Sequence, residues 1–203
     1  MKNFCKEVFP DLENNISNQS WLEGRAILTP TNKEVDAINE IIMDWLPGES
    51  TILSSADSLE DSEDSFRFNT EYINTLRPNG IPNHILTLKP GMPVMLIRNI
   101  NPREVLCNDT KLIYQRILDN KLIQCKIIGS SRTVLIPRIT FIPKQGEYTF
   151  EWQRKQFPLK KSFSTTINKS QGQTLKMVEV WLRTPIFSHG QLYVTYSKVS
   201  HPS

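Results

Sequence analysis

The stretch 165–175, TTINKSQGQTL, combines hydroxyl and amide side chains with one lysine and a glycine set between two glutamines. Groups of this kind suit contact with phosphates and sugars. Thr165, Thr166, Asn168 and Ser170 can hydrogen-bond phosphate oxygens, and Lys169 adds a charge-assisted contact. Gly172 lets backbone approach a ligand closely. Residue types alone equally describe a generic polar loop. No second constellation competes with it: Cys5, Cys107 and Cys125 are scattered, as are His84, His189 and His201, and their spacing fits no zinc site. Packing or surface exposure is the expectation for all six. The acidic run 54–65, SSADSLEDSEDS, lacks the glycine and spacing of a calcium loop and reads as an exposed loop.

The elements that must position the polar loop follow from hydrophobic pattern. Residues 24–28, GRAIL, read as a buried strand. Thr31 and Glu34 form a capping-box pattern, after which Val35, Ile38, Ile41, Ile42 and Trp45 recur at helical spacing and Pro47-Gly48 ends the helix. Residues 51–54 supply a candidate next strand of this α/β unit. From 85 to 143 short β-rich runs dominate, at 85–88, 93–97, 112–117, 122–128 and 133–142, with Asp119-Asn120 as a hairpin turn. Their close spacing predicts a small antiparallel barrel. After Phe157-Pro158 the α/β pattern returns, with strands at 163–166 and 177–182 and a helix over 188–199. The organisation is therefore α/β, with a first part at 1–80, a β-rich insert at 81–150 and a second part at 151–203.

Apolar residues make up 38% of the chain and charged ones 22%, which places it among folded rather than disordered sequences. No apolar run has the length of a membrane span, and the first residues, MKNFCKEVFP, form neither a signal nor a transit peptide. The expectation is a nuclear or cytoplasmic protein without a membrane partner, the mitochondrion staying open. Charge is unevenly spread. Residues 1–80 hold 6 basic and 15 acidic side chains, whereas 81–203 hold 18 basic and 6 acidic. The basic block is either a footprint for a phosphate backbone or an ordinary solvated surface.

The string at 165–175 resembles motif V of the Pif-type helicases, ATP-dependent DNA helicases of the superfamily-one, RecD-like group. The resemblance extends along most of the chain. Gln156-Phe157-Pro158 is similar to the family's "QFP", residues 184–194 (TPIFSHGQLYV) to its approach to motif VI, and 26–39 (AILTPTNKEVDAIN) to its motif IV. Pro82-Asn83-His84 with 88–99 (LKPGMPVMLIRN) matches "PxH…LKxGxPVMLLRN", and 106–111 (LCNDTK) stands where the family has "LCNGTR". The acidic loop and the EYINTL run at Glu71 resemble copies carried by Helitron transposons.

The resemblance implies the second RecA-like domain of a helicase motor, with an inserted small antiparallel β-barrel of the Src-homology-three type. It implies that Thr166, Asn168, Lys169 and Ser170 touch single-stranded DNA, with Arg98 and Asn99 as further candidates. Gly172 and Gln173 would lie near the nucleotide, and Lys198 takes the place of the arginine finger in GQLYVTYSKV. Arg98 has a second reading as a rim residue of the barrel, and Trp152 and Phe157 have readings as base-stacking or core residues. ATP and Mg²⁺ are the cofactors of the complete family enzyme. Yet the sequence contains no GxxxxGK[ST] loop and no Asp-Glu pair, so the N-terminal RecA-like half, in cis in a parent protein, is the expected partner. Lysine for arginine at 198 replaces a planar fork by a point charge. Asp109 stands at a glycine of the family, a position expected to need positive φ. The chain is thus expected to be inactive alone. It reads as the C-terminal half of a 5′-to-3′ DNA helicase or, alternatively, as a stand-alone nucleic-acid-binding module or an inactive transposon-derived remnant.

Overall fold

The computed structural model describes residues 1–59, 68–170 and 177–183. Ahead of the first strand, three short helices cover the sheet: α1 (Lys2–Val8), α2 (Leu12–Asn15) and α3 (Gln19–Glu23). None is long enough to show a helical period or to be stable alone, so tertiary packing holds them. Cys5, Val8, Phe9, Leu12 and Leu22 are buried, and the Phe9 ring meets Phe163 edge-on at 5.6 Å.

Strand β1 (Arg25–Thr29) is buried from Ala26 onward and leads into helix α4 (Asn32–Asp44). The N-cap half of the expected capping box forms. The Thr31 hydroxyl accepts from the Glu34 N–H and donates to the Glu34 carboxylate at 3.1 Å, a device worth about 1 kcal/mol. Val35, Ile38 and Ile42 are buried against the sheet, with Ile41 and Trp45 packed at the margin.

The strand expected next does form, as β2 (Thr51–Ser54), but it does not extend the sheet of β1. It pairs antiparallel with β4 (Ile85–Leu88), while β3 (Ala56–Leu59) pairs antiparallel with β10 (Trp152–Gln156). The reason lies in burial: β2 buries Leu53 alone and β3 buries none of its residues fully, whereas a strand inside a parallel sheet needs two apolar faces. Helix α5 (Thr70–Thr75), capped by Asn69, buries Ile73 with Phe150 and Trp152 in a small second core.

The β-rich region forms a five-stranded antiparallel sheet from β5 (Pro93–Leu96), β6 (Lys111–Leu118), β7 (Leu122–Ile127), β8 (Thr133–Pro137) and β11 (Leu159–Lys161), in the order β11-β5-β6-β7-β8. Asp119 and Asn120 both adopt positive φ, at 48° and 56°, at the centre of the tight turn in which the Lys121 N–H donates to the Leu118 carbonyl. The run read as one strand over 133–142 divides at Arg138 into β8 and β9 (Ile139–Phe141), and β9 joins β10 instead. Among the described residues the edge strands β11 and β8 are not paired with each other, so the hydrogen-bonded sheet is open.

The chain then returns to the first layer. Both β12 (Ser164–Thr166) and β13 (Met177–Val180) run parallel to β1, with Leu28 opposite Thr165 and Val180. One continuous core joins the layers, taking Ile27, Ile38 and Phe163 from the first and Val94, Leu112 and Ile123 from the second. The helix read over 188–199 lies outside the described residues. Among those described, no helix is long and apolar enough to cross a membrane.

Candidate nucleic-acid interface

Asn39 of α4 positions the polar loop from beneath. Its buried side-chain oxygen accepts from the N–H groups of Phe163 and Ser164, each at 3.0 Å, and its amide donates to the Lys161 carbonyl at 3.3 Å. The Ser164 hydroxyl donates to the Val35 carbonyl, so the start of β12 is fixed to the helix at two of its residues, Val35 and Asn39. Beyond Thr166 the backbone makes a tight 3-10 turn, Ile167–Ser170, anchored by buried Ile167. The turn leaves Asn168 exposed and Lys169 half-buried.

A second loop, 97–110, comes up against this turn. Its tip is built by side-chain-to-backbone bonds: the Asn99 oxygen accepts from the Asn108 N–H at 2.7 Å, and the Thr110 hydroxyl accepts from the Cys107 N–H and donates to the Val105 carbonyl. Asp109 sits at φ 66° and donates its N–H to the Leu96 carbonyl at 2.9 Å. The backbone of the family's glycine position is therefore kept, and an Asp side chain is added to it. That carboxylate accepts from Lys169 Nζ at 2.9 Å, with side-chain exposures of 34% and 37%.

The expected site residues separate on this geometry. Thr166, Asn168, Lys169 and Asn99 gather around the two loops. Ser170 does not: it is fully buried and its hydroxyl donates to the Ile167 carbonyl at 2.7 Å, so it shapes the turn rather than facing a strand. Thr165 is likewise buried. Arg98 is exposed, with its guanidinium 5.6 Å from the Phe141 ring of β9, a position compatible with both of its readings. Trp152 and Phe157 are both buried, which closes base stacking for them. Gly172, Gln173 and Lys198 lie outside the described residues.

Other motif residues turn out to hold the fold. Arg154 is wholly buried and forks onto Asp57 at 2.7 to 3.0 Å while donating to the carbonyls of Ile73, Leu76 and Pro82. Gln156 donates to the carbonyls of Leu53 and His84 and accepts from Arg138 and from the Phe157 N–H. The Ser55 hydroxyl lies 2.8 Å from His84 Nδ1 and donates to Asp57. Sequence reasoning missed the Arg154 and Asp57 pair. Its one signal was period: Arg154 lies two residues from Trp152 and from Gln156 on a strand, hence on the same inward face.

Folding also recombines the charges. The acidic first segment supplies partners to the basic block: Asp36 to Lys160 at 3.3 Å, Glu40 to Lys161 at 2.6 Å, and Asp57 to Arg154. The basic block is therefore not a bare cationic face. Burial lowers the Lys111 ammonium to about 8, an effect that the charge of Glu23 opposes. The described residues do not by themselves fit a triphosphate. Among them no group of three metal-ligating side chains occurs, and none of the positive-φ glycines forms a phosphate cradle: a Cβ on Gly91 would meet Ile16, one on Gly129 would meet Glu23, and those on Gly48, Gly80 and Gly146 would meet nothing.

Comparison with known proteins places this arrangement. Residues 71–116 match the family profile described as DNA helicase Pif1, 2B domain. The ATP-dependent DNA helicase PIF1 of Xenopus laevis is 28% identical over 168 residues, covering 81% of this chain and 24% of that protein. The ATP-dependent DNA helicase Pif1 of Bdellovibrio bacteriovorus is 31% identical over 129 residues, covering 63% and 28%. Over most of its length the chain is similar to Pif-type helicases. It spans about a quarter of the length of the curated relatives it matches. The fold agrees. The Pif1 helicase of Candida albicans superposes with a TM-score of 0.64 at 24% identity, covering 98% of this chain and 52% of that one. Bacteroides Pif1 bound to single-stranded DNA gives 0.61 at 22% identity, covering 95% and 46%. The profile match takes in α5, the 97–110 loop and most of β6, so both Asn99 and Asp109 lie in the segment most recognisable as Pif-type.

Proposed function

We propose that this chain is the C-terminal half of an ATP-dependent 5′-to-3′ DNA helicase, gripping single-stranded DNA and completing an ATP cleft with an N-terminal RecA-like half. The parallel layer of β12-β1-β13 with α4 would be the second RecA-like domain, and the antiparallel sheet its inserted barrel of the Src-homology-three type. Asn168 and Lys169, with Thr166 and Asn99 beside them, would hold the strand. Gly172, Gln173 and Lys198 would form this half's wall of the cleft, with ATP and Mg²⁺ held chiefly by the other half. One observation carries the reading: parallel pairing of β12 with β1 presents Asn168 and Lys169 next to the loop that Asn99 builds. Two polar segments 60 residues apart in sequence thus meet at one surface, as contacts to a phosphate backbone require.

Binding of a labelled oligothymidine strand, followed by fluorescence anisotropy across a salt series, tests the grip. The expected result is binding that weakens steeply with salt through counterion release. Absence of binding even at low salt overturns the reading. Joined to a P-loop half, the protein should hydrolyse ATP in the presence of the strand and unwind duplexes bearing a 5′ rather than a 3′ overhang. The reading as a non-hydrolysing binding module is favoured by one residue, Lys198 at the finger position. An arginine finger contributes about 10³–10⁵ in rate, so Lys198→Arg should raise hydrolysis in the joined protein if the cleft is otherwise intact.

A further inference from the structure

We infer that Asp109 is a built-in competitor for the phosphate at Lys169, so that a strand binds by displacing the chain's own carboxylate rather than by docking onto a bare lysine. The inference rests on the strand-binding reading above and goes beyond it by naming a residue that sets the strength of the grip. Asp109 Oδ1 lies 2.9 Å from Lys169 Nζ, the distance at which an ammonium holds a phosphate oxygen. The carboxylate is held in that place by its surroundings. Its own N–H is bonded to the Leu96 carbonyl, the Asn108 amide donates to its other oxygen at 3.0 Å, and Asn99 pins the Asn108 N–H. An L-residue at φ 66° is uncommon, and this backbone position presents the side chain toward the neighbouring turn.

Exposure decides what such a pair can do. With about a third of each side chain open to water, the pair is screened and contributes little to stability. A phosphate can therefore reach the lysine and take the carboxylate's place without any part of the core opening. Until it leaves, the carboxylate cancels the charge that would attract the strand, and afterwards it repels the phosphate nearby. Both effects weaken binding and reduce its dependence on salt.

Asp109→Asn tests this with almost unchanged shape, since asparagine tolerates the left-handed backbone. Asp109→Gly provides a second variant without a side chain, and thermal unfolding shows that both fold. Affinity for a labelled oligothymidine strand is measured for the full chain, the two variants, Lys169→Ala and the double variant Asp109→Asn/Lys169→Ala. The expected outcome is binding tighter by about 3- to 10-fold at low salt in both Asp109 variants, with a log–log salt slope steeper by roughly 0.7. The gain should vanish in the double variant, because it acts through Lys169. Unchanged affinity and slope in Asp109→Asn and Asp109→Gly, alongside a wild-type chain that binds, overturns the inference alone. A gain that survives in the double variant also overturns it, since Asp109 would then act on some other contact. If neither wild type nor any variant binds the strand, the proposed function fails and the inference falls with it.

Discussion

Two cation–carboxylate pairs in this molecule share nearly the same contact distance and have opposite physical meaning. Arg154 and Asp57 meet at 2.7 Å with neither side chain exposed, whereas Lys169 and Asp109 meet at 2.9 Å with about a third of each exposed. The buried pair is part of a network in which every guanidinium nitrogen has a partner, and those partners belong to β3, α5 and the segment before β4. It joins pieces that also share the small second core of Ile73, Phe150 and Trp152. The exposed pair links two loop tips and can exchange one partner for another. Contact distance does not distinguish a structural lock from an exchangeable contact. Access of water does.

The largest test of that contrast is to break the buried pair. Arg154→Ala leaves Asp57 buried without its charge partner, together with three carbonyls without their donor, and should cost about 3–5 kcal/mol. Urea unfolding monitored by tryptophan fluorescence measures it, and a loss under about 1 kcal/mol would mean that water enters and the lock is not one.

Lys111 is an intermediate case, a half-buried cation. Its ammonium is lowered by burial from 10.5 to about 8, so below pH 8 the folded state holds a charge that it disfavours. Between about 8 and 10.5 the unfolded chain binds more protons than the folded one, and stability rises with pH over that window. Lys111→Met should therefore stabilise the protein at neutral pH by on the order of 1 kcal/mol. Its advantage over wild type should shrink as pH climbs through that window. An advantage that stays constant with pH would show that the methionine acts through packing instead. Comparing the two proteins at each pH cancels the opposing contribution of Cys5 and Cys125, whose thiols burial raises to about 11 and about 12.

The smallest effect belongs to the surface. Asp36→Asn removes the partner of Lys160 at 3.3 Å, where the side chains are 47% and 31% exposed. Stability should change by less than about 0.5 kcal/mol. A strand-binding gain in this variant comparable to that of Asp109→Asn would blur the distinction drawn for Lys169.

Much of this was legible along the chain. The N-cap at Thr31 and Glu34, the hairpin at Asp119-Asn120 and the strand–helix unit of β1 and α4 are local, and local chemistry is enough to specify them. The positive φ at Asp109 was legible too, through the resemblance to a glycine motif. What failed was long-range. The strand at 51–54 was legible but its partner β4 was not, because four residues cannot declare which edge they will join. Ser170 looked available because a hydroxyl's type says nothing of its direction, and here it turns inward to the Ile167 carbonyl.

By itself, then, the sequence determined the order of elements, the family resemblance and the chemistry available in the loop at 165–175. Tertiary structure alone decided which of those groups face outward, that the acidic first segment supplies partners to Arg154, Lys160 and Lys161, and that Lys169 already holds an anion. The physical reason is that a side chain's chemistry is carried by its own atoms. Its burial and its nearest charge are set by residues that the fold brings from far along the chain, as Glu40 is brought to Lys161 from 121 positions away.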